Sequence, residues 1–437
     1  MRNILKNLNI HDYLIMLLLL IPFFPLSPIP FSIGHIYCHE IIVLSYSLGN
    51  LLLFLFNKEE RKSIVRFNDI QKTGLMLLIF VLINFLFSFQ LLKGMDQANF
   101  IKSIKVHINV LRGYGAFFMV FILFSHNVRK STLKTKGIIT LLFTVFCINL
   151  LFFFILLLPH VELKKLILNT QYYLEFRNKS IDYKYNFPDG AYALFIMAFS
   201  HYLFCCYQKT YQRILLGFGF ILSIITIFAT FSRIFLPGFF LLILFFLIFL
   251  YPGKVKLVFL GLGAFFLSLG GFRIIWERLV HYRFNITGIG SGRFVLVSSI
   301  FNIFADNINN LLYGIGTGNY FYYTHSYVLN PIFVGYSTPH NQFLTVLTDT
   351  GLLGYFLFLF FLLSLIRQAW KNARSVLLPE MKTFYLGLMG LFLTFCSMSL
   401  FAEMIVSYHP PMNHYLVYLW MVLSLCSVPG DVSCHEA

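Results

Sequence analysis

The chain has 437 residues, of which 58% are hydrophobic and 11% charged, and its formal net charge is +16. A soluble chain of this length could not hide so much apolar surface. No compact basic segment carries the charge, which excludes a nucleic-acid partner and leaves an all-α polytopic membrane protein.

Apolar runs of about 20 residues, enough for a helix to cross a ~30 Å hydrocarbon core, recur along the chain. In order they cover 13–31, 36–56, 75–93, 108–127, 137–158, 189–207, 214–231, 234–251, 257–275, 342–366, 383–404 and 414–428. This predicts about 12 transmembrane helices in a single domain spanning 1–437, with both termini on one side. The first run is too long, and too closely followed by the second, to suggest a cleaved signal peptide.

Charge orients the set. Arg2 and Lys6 argue for a cytoplasmic N-terminus, and every second connection is then short and basic. These connections and the N-terminus hold 19 of the 33 Lys and Arg residues, so the positive charge is mainly topological. Two long loops, 159–188 and 276–339, fall on the outer side, where long loops cross regardless of charge. His35, Cys38 and His39 make the one cluster with plausible metal-ligand spacing, and no pair of acids stands out as a metal site.

The longer outer loop, 276–339, carries the chemistry-bearing residues. Phe294, Leu296, Val297, Ile300, Phe301 and Phe304 recur at helical spacing and predict a helix lying along the interface. Gly314, Gly316 and Gly318 mark a tight turn that exposes backbone. Tyr320 and its tyrosine neighbours could stack on sugar rings or form an interfacial aromatic belt. Next comes "STPHNQFLTVLTDTGLLG", residues 337–354. Ser337 or Thr338 is a good helix cap and Pro339 suits a first helical position, which puts His340 in the first turn of the tenth span. A helix end there favours an anion such as a pyrophosphate. Leu344, Leu347, Gly351 and Gly354 share roughly one face, and the two glycines permit close approach of a neighbouring helix.

His340-Asn341, nine residues, then Gly351-Leu352-Leu353-Gly354 resembles the signature of the O-antigen ligase and polymerase superfamily of membrane glycosyltransferases. Two further stretches look like that family: "ATFSRIFLPGFFLLIL", which gives Arg233 between two spans, and "GSGRF", which gives Arg293. The resemblance implies a donor glycan on undecaprenyl diphosphate at the periplasmic face of the bacterial inner membrane, with transfer to a sugar hydroxyl. With no pair of acids standing out as a metal site, a metal-independent transferase without a cofactor is expected. Arg233 and Arg293 would clamp the departing diphosphate, since guanidinium binds phosphate oxygens bidentately, and a neutral His340 would be the base. Arg112, Asn341, Gly316, Gly318 and Tyr320 are candidates for substrate binding, with Gly351 and Gly354 as the structural motif.

A polymerase, which adds the growing glycan to another lipid-linked unit, is favoured by a compact, Gly- and Tyr-rich outer loop. A ligase, which transfers finished glycan to lipid A-core, shares the same chemistry. A lipid-linked oligosaccharide flippase should carry charges facing a central cavity, and spans seven to ten have almost none beyond Arg233 and Asp349. Expected partners are the lipid-linked oligosaccharide, membrane lipids, and a chain-length regulator or flippase of the same pathway.

Overall fold

A computed structural model describes residues 8–21, 29–31, 34–36, 38–59, 69–88, 114–115, 119–157, 188–230, 234–257, 261, 289–327, 339–400, 405 and 413–428. Among the described residues the fold is helical apart from one short antiparallel hairpin. In chain order the elements are α1 (Ile10–Leu19), β1 (Ile29–Phe31), β2 (Gly34–Ile36), α2 (Cys38–Phe56), α3 (Asp69–Ser88), α4 (Thr135–Leu157), α5 (Pro188–Cys206), α6 (Thr210–Thr230) and α7 (Phe235–Phe249). They continue with α8 (Ile289–Asp306), α9 (Ile308–Tyr313), α10 (Tyr320–Tyr327), α11 (Gln342–Ser375), α12 (Pro379–Met398) and α13 (Asn413–Ser424). Residues 119–130 are also helical.

Among the described residues, α3, α4, α6, α11 and α12 are long and apolar enough to cross a membrane, and six further apolar helices are shorter. The chain is a multi-pass membrane protein. The expected run 257–275 lies almost wholly outside the described residues, as does the loop 159–188. The expected run 13–31 is not one helix. α1 ends at Leu19, and Ile29–Phe31 pair with Gly34–Ile36 as a hairpin, Pro30 opposite His35. Four prolines at 22, 25, 28 and 30 remove backbone donors and rule out a continuous helix there.

Helix α5 is the centre of the bundle. Every residue from Gly190 to Ser200 is buried, against α4, α6, α7, α12 and α13. Aromatic rings fill the space: Phe146 of α4 stacks on Tyr192 at 5.0 Å and on Phe195 at 5.4 Å, with Tyr418 of α13 edge-on at 5.0 Å. Polar side chains tie helix ends together. At one end Asn372 donates to the Cys426 carbonyl (2.8 Å) and the Tyr385 hydroxyl to that of Val428 (2.7 Å). Opposite them lies the end that carries the His340 segment.

The described part of 276–339, the stretch expected as the longer outer loop, is a small helical unit with its own core. Leu296, Ile300, Ile303 and Phe304 of α8 pack with Ile315 and Tyr320, and Leu344 and Leu347 of α11 rest against them. The predicted apolar spacing in α8 is therefore used to build this core rather than turned wholly to the interface, although Phe301 stays 65% exposed. Full burial of such side chains stabilises by roughly 1.5–3 kcal/mol each, enough to hold three short helices on the bundle.

Candidate functional site

The helix that follows His340 starts later than its flanking residues suggest. Asn341, not Ser337 or Thr338, is the cap of α11, and Gln342 is its first residue. The Asn341 side-chain oxygen accepts from the Phe343 and Leu344 amides at 3.0 and 3.1 Å. Its amide nitrogen donates to the Leu400 carbonyl at 2.9 Å. Asparagine caps as well as serine does, and here it also reaches the neighbouring helix end, which neither Ser337 nor Thr338 is needed to do.

The next backbone amide, of Gln342, donates to the Ser399 carbonyl at 2.9 Å. The start of α11, which has free N–H groups, is thus fastened to the end of α12, which has free carbonyls. His340 precedes this junction, half-buried, with φ of +54°. Among the described residues it alone, apart from glycines, has positive φ. The left-handed region costs a side-chain-bearing residue about 1–2 kcal/mol and persists where the surroundings hold it. The backbone around His340 is held by Asn341 and Gln342, so the imidazole sits on a fixed and strained turn.

Eleven residues after His340, Gly351 breaks α11 with φ of +65° and ψ of −171°. The break frees carbonyls in the preceding turn, and the glycine turn fills them: Ile315 N donates to Thr348 O at 2.9 Å and Gly316 N to Asp349 O at 3.1 Å. A Cβ on Gly351 would collide with the backbone of Leu312 and Gly314. The expected close approach is therefore made by a loop, not by a straight helix. Gly354 meets α3, where a Cβ would come 2.7 Å from the Phe80 ring.

Asn84 of α3 completes the arrangement. Its amide nitrogen donates to the Tyr313 carbonyl (3.1 Å), and its oxygen accepts from the Thr317 amide (2.9 Å) and hydroxyl (2.6 Å). Three distant stretches of sequence, 84, 313–317 and 348–351, are locked together by backbone bonds and one amide.

These bonds already engage several of the groups expected to contact substrate. Gly316 and Gly318 are buried at positive φ, and the Ile315, Gly316 and Thr317 amides all have protein acceptors. The turn is a structural lock, not a bare phosphate cradle. Tyr320 is 1% exposed; its hydroxyl donates to Leu296 O at 3.1 Å and meets Ser299 Oγ at 3.0 Å. Burial pushes its pKa up to about 12. Its ring is core, not a platform for sugar. Both ends of the Asn341 amide are likewise engaged.

Arg112 and Arg233 lie outside the described residues. The residues after Arg233 are placed: Phe235 is buried against Gly190 of α5, and Gly238 leaves room for Met398 and Thr394 at the end of α12. That end is the one whose Ser399 and Leu400 carbonyls hold the His340 segment. Arg293 lies near the start of α8, within a helix that begins at Ile289 rather than in an open glycine loop. Its side chain is outside the described part. Among the described residues no group of three or more His, Cys, Asp or Glu could hold a metal ion. The side chains of His35, Cys38 and His39 are not described.

Asn84, Thr317, Ser399 and Leu400 had no role assigned from sequence. Asn84 had a signal, since an amide inside an apolar span needs a partner. The carbonyls had none.

Residues 218–359, about a third of the chain, match the family model described as O-antigen ligase. This segment contains Arg233, Arg293, the glycine turn and the whole His340–Gly354 motif. No curated protein matches the chain significantly.

Proposed function

We propose that this chain, a member of the O-antigen ligase and polymerase superfamily, polymerises undecaprenyl-diphosphate-linked oligosaccharide repeat units at the periplasmic face of the bacterial inner membrane. Both termini are then cytoplasmic, as the short basic connections suggest. The observation that carries the reading is the placement of His340: it stands at positive φ, outside the helix it precedes, on a turn that Asn341 and Gln342 fasten to α12. A histidine needed as a helix cap would not be found there, because Asn341 does that work.

In the reaction an acceptor sugar hydroxyl attacks the anomeric carbon of the donor glycan. The bond from that carbon to the diphosphate oxygen breaks, and the diphosphate leaves with the electron pair. His340 takes the hydroxyl proton, which makes a poor nucleophile competent. The diphosphate is a good leaving group and needs fixed cations rather than a protein acid; Arg233 and Arg293 supply them. Arg112 is a further cation for the lipid head group. The step needs no metal.

The ligase reading is favoured by one specific observation, the description of the matched family as O-antigen ligase. Glycan analysis of a deletion strain separates the two. Lipid A-core capped by a single repeat indicates a polymerase. Full-length lipid-linked polymer that is never attached indicates a ligase.

A further inference from the structure

Gln342 has a second attachment besides its backbone bond to Ser399. Its side chain is fully buried, and Oε1 accepts from the Ile405 amide at 3.4 Å. The Ile405 carbonyl in turn accepts from Trp420 Nε1 of α13 at 3.0 Å. Ile405 and Trp420 are fully buried as well. Buried backbone groups need partners, so the two side chains fix the Ile405 backbone between α11 and α13.

Trp420 also touches α11 beyond the break at Gly351. Its ring stacks on Phe361, with centroids 5.7 Å apart and planes at 23°, and Phe121 stands edge-on at 5.7 Å. One residue reaches both parts of α11 because the helix bends sharply at the break. Phe343 and Phe358 meet across it with ring centroids 6.1 Å apart, where a straight helix would hold them about 22 Å apart. Residues 342–350 are thus a short arm, about 14 Å long, with His340 just past its far end. The glycine turn holds the Gly351 end.

We propose that Gln342 and Trp420 are positioning residues for His340, setting the angle of this arm through Ile405, a role that rests on the transferase reading above. Over about 14 Å, a tilt of about 5° moves the far end by about 1 Å. A displacement on that scale takes a base out of reach of the acceptor hydroxyl and can cost about 10²-fold in rate. Both side chains act through backbone, so the loss falls on turnover rather than on donor binding.

The test uses the full-length protein in lipid nanodiscs, with Gln342→Met, Trp420→Phe and the double variant. Methionine keeps the side-chain length and the backbone bond to Ser399 but loses the amide oxygen. Phenylalanine keeps a ring against Phe361 but loses the indole N–H. Each single variant should lower kcat at least about tenfold, while KM for a synthetic lipid-linked donor changes less than about twofold. Because both act through one backbone, the double variant should be no slower than the slower single one. Losses that multiply, or a raised KM at unchanged kcat, would overturn the proposal.

Hydrogen–deuterium exchange reads the arm without turnover. In Trp420→Phe, which leaves Gln342 intact, peptides covering 340–345 should exchange at least about fivefold faster than in wild type. Unchanged exchange there would overturn the proposal whatever the activity. Exchange across Gly190–Ser200 of α5 is the control for general loosening; if it rises in Trp420→Phe, the same peptides in Gln342→Met decide. A wild type that shows the exchange effect but no transfer would contradict the transferase reading and leave the clamp on the arm standing.

Discussion

Gly314 and Gly351 meet backbone to backbone, and a side chain on either would strike the other's chain: a Cβ on Gly314 collides with the Asp349 carbonyl, and one on Gly351 collides with Leu312 and Gly314. Both have positive φ, +81° and +65°. The break in α11 and the turn after α9 are therefore two halves of one joint, which sets the distance between the helical unit of α8–α10 and the His340 segment.

The two glycines of the signature should differ in tolerance. Gly351→Ala must strain φ and displace backbone on both sides, so it should destabilise by roughly 2–4 kcal/mol and abolish activity. Gly354→Ala keeps a helical backbone and meets side chains alone, Thr350 and the Phe80 ring. Its loss should be smaller, about 1–2 kcal/mol. Melting of the two purified variants in the same detergent ranks them; equal stability would contradict the joint.

Asn84→Ala removes one donor and one acceptor that hold the glycine turn, leaving the Tyr313 carbonyl and the Thr317 amide and hydroxyl without their partner. Each orphaned buried group costs about 1–3 kcal/mol. Insertion in the membrane should be normal, while glycan transfer should fall at least about tenfold if the turn positions the site. Transfer at the wild-type rate would show that the turn does not position the site.

If Arg233 and Arg293 hold the leaving diphosphate, Arg→Ala at either should lower transfer by on the order of 10²-fold or more. Lysine keeps the charge but not the planar fork, so Arg→Lys should recover part of the loss. Full recovery by lysine at both positions would indicate simple charge attraction instead of a bidentate clamp.

Much of the helical layout was legible because hydrocarbon imposes length and composition on each span: the runs at 36–56, 137–158, 189–207, 214–231 and 383–404 lie close to α2, α4, α5, α6 and α12. Hydropathy takes the residues of the 29–36 hairpin into the flanking spans because it ignores the missing proline donors. The motif from His340 to Gly354 was legible as a motif. What its residues do locally was not. Asn341 and Ser337 are equivalent caps by type, and the choice depends on the Leu400 carbonyl, 59 residues away. Gly351 reads as a small helix-packing residue until its partner loop is known. Tyr320 illustrates the same limit: alternation cannot say whether a tyrosine in a neutral, aromatic stretch faces sugar or core.

The central claim is that His340 takes a proton, and the most direct measurement is glycan transfer by purified His340→Asn with a synthetic lipid-linked donor. Asparagine tolerates the left-handed backbone better than most residues, so the turn at φ +54° should survive, and the cap at Asn341 is untouched. His340→Gly serves as the control for strain and should melt no lower than wild type, because glycine relieves the positive φ. The account predicts that both variants fold and bind the lipid donor, and that both lose transfer by roughly 10²–10⁴-fold. Transfer by folded His340→Asn at near the wild-type rate would mean that His340 is a turn residue and that the mechanism is wrong.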